Sequence, residues 1–218
     1  MPRIIDVLLS ILALLVLLPL FIPVVIILLS TGEHKVFYLQ NRVGYKNKNF
    51  KIIKFATMLS NSANMGSGSL TLKNDPRVLP FGSFLRKTKI NELPQILNII
   101  IGDLSIVGPR PQMLVDFKKY SDEVQGKIYN VRPGLTGIGS IVFRDEESLI
   151  SSAAENENPH DFYKRVIAPY KGELEIWYHL HRSFFLDSQL IFMTAWVIVT
   201  PETRLYEKWF KDLPKRKF

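Results

Sequence analysis

"RKTKINELPQILNIIIGDLSIVGPRP", Arg86 to Pro111, is the stretch on which the reading of this chain turns. A basic segment gives way at Asn91 to a helical pattern, with Leu93, Ile96, Leu97 and Ile100 spaced as one apolar stripe. Pro94 is tolerated in a first turn, and Gly102 supplies a stop. Asn91 then reads as the helix N-cap and Glu92 as a first-turn acid favoured by the helix dipole. The stretch ends in "GPRP", where Pro109 and Pro111 stiffen the backbone around Arg110. A guanidinium held in that way loses little entropy on binding and suits bidentate contact with phosphate. On its own, a G-P-R-P is equally a plain turn.

Upstream, Val7 to Leu29 is almost wholly apolar, with Ser10 its one hydroxyl. As a straight helix it would reach roughly 34 Å, enough to cross a hydrocarbon core of about 30 Å. It is too long for the apolar part of a cleaved signal peptide. Pro19 and Pro23 lie inside it, and each removes a backbone donor, so a kink or break is expected. Arg3 precedes the run, and Lys35, Arg42, Lys46, Lys48, Lys51 and Lys54 follow it with no intervening acid from His34 onward. Both flanks therefore prefer the cytoplasmic side. The prolines and the two basic flanks favour a re-entrant helix over residues 1–32, with a membrane-associated body over residues 33–218. Arg3 and Asp6 read as structural, either as a pair on one face or as a helix-start acid.

The body reads as mixed helix and strand, an α/β fold in the α+β sense. "KVFYLQNRVGYKNKNFKIIKF" predicts a β-hairpin around the polar "YKNKN" turn. Ser60 to Ser69 is a loop by composition. "VRPGLTGIGSIVFR", Val131 to Arg144, repeats the stiff, glycine-bearing character of "GPRP", and its glycines allow close backbone approach. The acidic stretch Asp145 to Asp161 is expected to be an exposed loop. His179 and His181, two apart, are poorly spaced for zinc on a helix. Leu190 to Val199 is too short to span and predicts a core or interfacial helix. The tail from Tyr206 mixes Trp209 and Phe210 with lysines, a composition suited to a headgroup boundary.

The whole chain of 218 residues has no cysteine, which excludes disulfides, thiol catalysis and thiolate metal sites. Its net charge of +8 points to an anionic partner. Nucleic acid is disfavoured, because the basic residues gather beside the apolar run and no stacking platform is evident.

Taken in order, "RIIDVLLS", "QNRVG", "FKIIKFATM", "DPRV", the Arg86–Pro111 stretch and "VRPGLTG" closely resemble the monotopic phosphoglycosyl transferases, the bacterial sugar transferase family. The likeness covers residues 2 to 200. It implies transfer of a sugar 1-phosphate from a UDP-sugar to polyprenol phosphate, giving a polyprenol-diphospho-sugar and UMP, the first membrane step of surface glycan synthesis such as O-antigen, capsule or exopolysaccharide. It further implies a re-entrant anchor in the cytoplasmic leaflet of the bacterial inner membrane, Mg2+ as cofactor, and a catalyst that meets membrane lipid; a homodimer is compatible with it. By resemblance Glu92 holds the metal, and Arg86, Arg110, Pro109, Pro111, Arg132, Arg77 and Lys54 contact substrate, with Asp75 also in its place.

The family pattern carries Asp-Glu before "LPQ", the Asp forming a phosphosugar-enzyme intermediate. Here Asn91 stands at that nucleophile position. A neutral amide is a poor nucleophile towards phosphorus, although losing its charge eases diphosphate binding nearby. Three accounts follow: a variant mechanism, with Glu92 as nucleophile or the acceptor phosphate attacking directly; a catalytically silent scaffold that binds UDP-sugar; or an engineered trap. The otherwise complete pattern favours an enzyme.

Overall fold

The computed structural model describes residues 1–66, 68–200 and 203–218, so Ser67 of the predicted loop lies outside the described residues. The apolar run forms one helix, α1 (Arg3–Ser30), long and apolar enough to cross a membrane by length and composition. Of the kink or break expected at Pro19 and Pro23, no break occurs: the helix is continuous through both. The turns on either side keep their own hydrogen bonds, and helix propagation is cooperative enough to absorb two missing donors.

Both ends of α1 are fastened to the body. At its start, Arg3 donates to the carbonyls of Ile99, Ile100 and Leu104, while Asp6 accepts from Ser105 Oγ at 2.8 Å and from the Ile106 amide at 3.1 Å. Arg3 and Asp6 thus serve tertiary contacts; no ion pair joins them among the described residues. Near its end, Val24 and Leu28 are buried with Phe55 and Leu85. The middle of the helix leaves Leu12, Leu15, Val16 and Ile22 exposed.

The predicted hairpin is present as β1 (Phe37–Val43) and β2 (Asn49–Phe55), antiparallel from Phe37↔Phe55 to Val43↔Asn49. Lys46 and Asn47 turn it with positive φ. After the Ser60–Ser69 loop, α2 (Pro80–Lys87) leads through a short 3-10 turn, Ile90–Glu92, into α3 (Gln95–Ile101). Gly102 ends α3 at φ 113°, the stop expected of it. The buried face of α3 is Gln95, Ile96, Asn98 and Ile99, which shares Ile96 with the predicted stripe but leaves Leu97 and Ile100 partly exposed. The 3-10 turn and Pro94 shift the phase of the helix. Asn98 also faces inward because it completes β2, accepting from the Ile53 amide at 2.9 Å and donating to the Lys51 carbonyl at 2.8 Å.

β3 (Ser105–Val107) then leads through "GPRP" to α4 (Leu114–Phe117) and α5 (Asp122–Lys127). β4 (Gly134–Thr136) returns parallel to β3, with Ser105↔Gly134 and Val107↔Thr136. The two stiff stretches therefore lie side by side: the Gly108 amide donates to Thr136 and the Gly134 amide to Pro109, each at 2.9 Å. A Cβ on Gly134 would sit 2.1 Å from the Gly108 nitrogen, so close backbone approach does require glycine there.

The remainder is helical: α6 (Ile138–Val142), α7 (Glu146–Ala153), α8 (Pro159–Phe162), α9 (Ala168–His181), α10 (Phe184–Val199) and α11 (Leu205–Trp209). The acidic stretch expected as a loop is largely α7 and α8, because Ile150 anchors the first in the core and Asn158 caps the second. The main core gathers Tyr129, Ile138, Ile167, Leu174, Leu190 and Met193. α10 begins six residues before the predicted Leu190, on a Ser183 cap. It buries Leu186, Leu190, Met193 and Val197 and leaves Phe185, Phe192 and Trp196 exposed.

Candidate active site

Asn91 is not a helix cap. It sits inside the 3-10 turn that Lys89 opens with φ 60°, and α3 starts after Pro94 with no side-chain cap. Asn91 is 5% exposed, and its Oδ1 is buried without a hydrogen-bond partner among the described residues. A buried amide oxygen left unpaired costs on the order of 1–3 kcal/mol, so this position is held against local preference.

Glu92, next to it, is the carboxylate at the centre of a crowd of cations. Its Oε1 accepts from Arg110 Nη2 at 3.0 Å and lies 3.9 Å from Lys54 Nζ. Its Oε2 takes no ion pair or hydrogen bond among the described residues. Burial by itself would raise the Glu92 pKa, but Arg110, Lys54 and Lys89 together hold it well below the usual carboxylate range. Reciprocally, Glu92 raises that of Arg110.

The lysines pay the opposite penalty. Lys54 is pushed down to about 7, first by burial and then by Arg42, Arg110 and Arg86, with Glu92 opposing. Lys89 is lowered by burial, with Arg110, Arg86 and Arg144 adding to the effect against Glu92. Cations that depress one another in this way form a site short of negative charge. Arg86 stands at one edge, 3.6 Å from Glu147 Oε2 and 3.8 Å from Met58 Sδ.

The Pro109–Arg110–Pro111 turn is pinned from three sides. Tyr129 Oη donates to the Arg110 carbonyl at 2.8 Å and accepts from the Gln112 amide at 2.9 Å. Arg42 donates to the Pro111 carbonyl at 3.1 Å. Glu175 Oε1 accepts from the Arg110 amide at 3.4 Å, and burial pushes the Glu175 carboxyl up to about 7. The prolines fix the turn, and these contacts aim its arginine at Glu92.

Lys54, Arg86, Asn91, Glu92 and Arg110 are thus brought together from four segments. Two further residues expected to contact substrate are placed elsewhere. Arg77 is buried, paired with Asp75 at 2.6 Å, and donates to the carbonyls of Ser62, Met65, Gly68 and Leu70, so it organises the Ser60–Ser69 loop. Arg132 donates to the Gly102 carbonyl at 3.0 Å and lies over the Tyr45 ring, beside the end of α3. Sequence reasoning placed Arg42 only in the basic flank of the apolar run and assigned no role to Lys89, Tyr129 or Glu175. Arg42 lies in "QNRVG" and Lys89 directly precedes the 3-10 turn, so position offered a hint for both; nothing local marked Tyr129 or Glu175.

No group of three His, Cys, Asp or Glu side chains able to hold a metal occurs among the described residues. One carboxylate with an uncommitted oxygen still fits magnesium, which is commonly bound through one or two carboxylates plus the phosphates of a substrate. Chemically, the site can grip a diphosphate, neutralise a leaving phosphate and hold a metal–phosphate complex through Glu92.

Several bacterial proteins are similar to this chain over two thirds of its length or more. The exopolysaccharide production protein ExoY of Sinorhizobium fredii is 39% identical over 163 residues, covering 68% of this chain and 72% of its own length. The UDP-N-acetylgalactosamine-undecaprenyl-phosphate N-acetylgalactosaminephosphotransferase of Aeromonas hydrophila is 31% identical over 197 residues, 89% of this chain but 43% of its own. The UDP-glucose:undecaprenyl-phosphate glucose-1-phosphate transferase of Klebsiella pneumoniae is 30% identical over 195 residues, 88% of this chain and 39% of its own. The chain thus spans less than half the length of these two larger relatives. The family model described as bacterial sugar transferase matches residues 1–201, a range that holds the long apolar helix α1, the cation cluster and the pinned Arg110 turn alike, and the chain belongs to that family of enzymes.

Proposed function

We propose that this protein transfers a sugar 1-phosphate from a UDP-sugar to undecaprenyl phosphate, releasing UMP, as an initiating step of bacterial surface glycan synthesis. The observation that carries the reading is the convergence of Lys54, Lys89 and Arg110 on Glu92 beside a rigid turn, with Arg86 acting on the same two lysines. Such a field binds the donor diphosphate and the acceptor phosphate together and stabilises charge on the departing UMP. With a phosphate on Arg110, Glu92 is the residue that would hold Mg2+. Bound there, Mg2+ would supply charge neutralisation at the diphosphate.

Asn91 shapes the mechanism. An amide cannot supply the carboxylate of a covalent intermediate, and Glu92 is the carboxylate reserved for the metal. An oxygen of the acceptor phosphate therefore attacks the donor β-phosphorus directly. The new P–O bond forms as the bond from that phosphorus to the UMP oxygen breaks, and UMP leaves with the electron pair. Fastening of both ends of α1 to one body supports a re-entrant anchor, with the site at the cytoplasmic face of the inner membrane.

The test is UMP release from a panel of UDP-sugars in magnesium. Release is expected only when undecaprenyl phosphate is present, with no exchange of labelled UMP into UDP-sugar in its absence. Acceptor-independent exchange would overturn direct transfer. A UDP-sugar that raises the thermal midpoint yet releases no UMP would mean a silent scaffold, the reading that Asn91 by itself favours.

A further inference from the structure

A cavity of about 250 Å³ lies where α1 meets the body, and the site described above does not use it. Its walls include Leu28, Phe37, Ala56, Met58, Leu79 and Phe81. Leu28 belongs to the last turns of the membrane helix, and Phe37 opens β1. Leu79 and Phe81 come from the start of α2, which sits tightly on the Thr57 backbone because Gly82 has no side chain; a Cβ there would lie 2.2 Å from the Thr57 carbonyl oxygen. A polar chain closes one rim: Lys35 Nζ donates to Ser60 Oγ at 2.6 Å, and Glu33 accepts from the Ser60 amide at 2.8 Å.

Two observations say what would fill it. The cavity opens beside a helix whose exposed surface is apolar, so its contents can arrive from a hydrocarbon phase. Its Met58 wall also touches the cationic site, since Met58 Sδ is 3.8 Å from Arg86 Nη1. An apolar pocket whose Met58 wall is backed by a half-buried guanidinium matches an amphiphile with a hydrocarbon chain and an anionic head.

We propose that this cavity receives the head-proximal isoprene units of the polyprenyl phosphate acceptor, whose phosphate then rests on Arg86. This rests on the transferase reading for the identity of the acceptor. The cavity would fix the position of the acceptor phosphate by gripping its chain, so that the cations need only turn it towards the donor.

The test uses a polyprenyl phosphate carrying a photoreactive diazirine in its first isoprene units, with the full chain in nanodiscs. After irradiation, mass spectrometry is expected to place adducts on Met58, Leu79 or Phe81. Excess undecaprenyl phosphate should abolish them, and excess dioleoyl phosphatidic acid should leave them. Leu79→Trp, which fills the cavity, should cut labelling at least tenfold with an unchanged thermal midpoint, and Ala56→Ile serves if that variant does not fold. Adducts confined to the middle of α1 or to α10 would overturn the proposal. So would equal competition by phosphatidic acid, which would make the cavity a general phospholipid site, or undiminished labelling in both filled variants. Cavity labelling without UMP release would instead count against the transferase reading alone.

Discussion

Glu92 and Lys54 meet at 3.9 Å, and their charges determine how the site works. Glu92→Gln removes the carboxylate that Arg110 and Lys54 share, and turnover should fall by roughly 10²-fold or more, read as initial rates of UMP release. Asn91→Asp should have the opposite character: a phosphosugar adduct becomes trappable, and labelled UMP exchanges into UDP-sugar without acceptor. Lys54, with its pKa pushed down to about 7, predicts a pH effect of definite sign. Below 7 it is charged and binds phosphate; as pH rises through 7 it loses its proton, and KM for the UDP-sugar should climb. Lys54→Arg should flatten that profile. In the free protein the sign is reversed. The lowered folded pKa makes charged Lys54 a burden that is fully present below 7 and is relieved as pH rises towards the ordinary lysine value. Much of this site could be read in the chain. Glu92, Arg110, Arg86 and Lys54 all stood in recognisable stretches, and they converge. The cap reading of Asn91 failed because a cap is inferred from neighbours in sequence, whereas its burial comes from contacts made across the fold.

At the scale of elements, α1 carries the clearest consequence. Asp6 ties the start of this helix to β3 through Ser105 Oγ and the Ile106 amide. Asp6→Ala leaves those donors without their acceptor, and a loss of about 1–3 kcal/mol is expected, measured as a lower thermal midpoint in detergent. The hairpin was legible because period-2 alternation and a polar turn are local signals. The phase of α3 was not, since Asn98 turns inward to serve a strand some 45 residues away in the chain. The acidic stretch misled for a similar reason: its composition reads as loop, yet Ile150 finds a place in the core and holds a helix there.

For the whole molecule, the exposed apolar middle of α1 and the outer face of α10, with Phe185, Phe192 and Trp196, form the surfaces suited to lipid. If α1 enters and leaves by one face, cysteines introduced singly at Met1 and Lys217 should both react with an impermeant thiol reagent only after the inner membrane is opened. Labelling of one from the outside of intact cells would make α1 a spanning helix.

The amino-acid sequence by itself determined the long apolar helix, the hairpin, the stiff Arg110 turn and the surplus of cations, because each is written in neighbouring residues or in simple periods. Only the tertiary structure decided which cations act together. It withdrew Arg77 into a loop scaffold and Arg132 to the end of α3, and it drew in Arg42, Lys89 and Glu175. It also buried Asn91, its oxygen unpaired among the described residues. The reason is physical: a charge is tuned by whatever lies within a few ångströms, and in a folded chain those neighbours come from segments far apart in sequence.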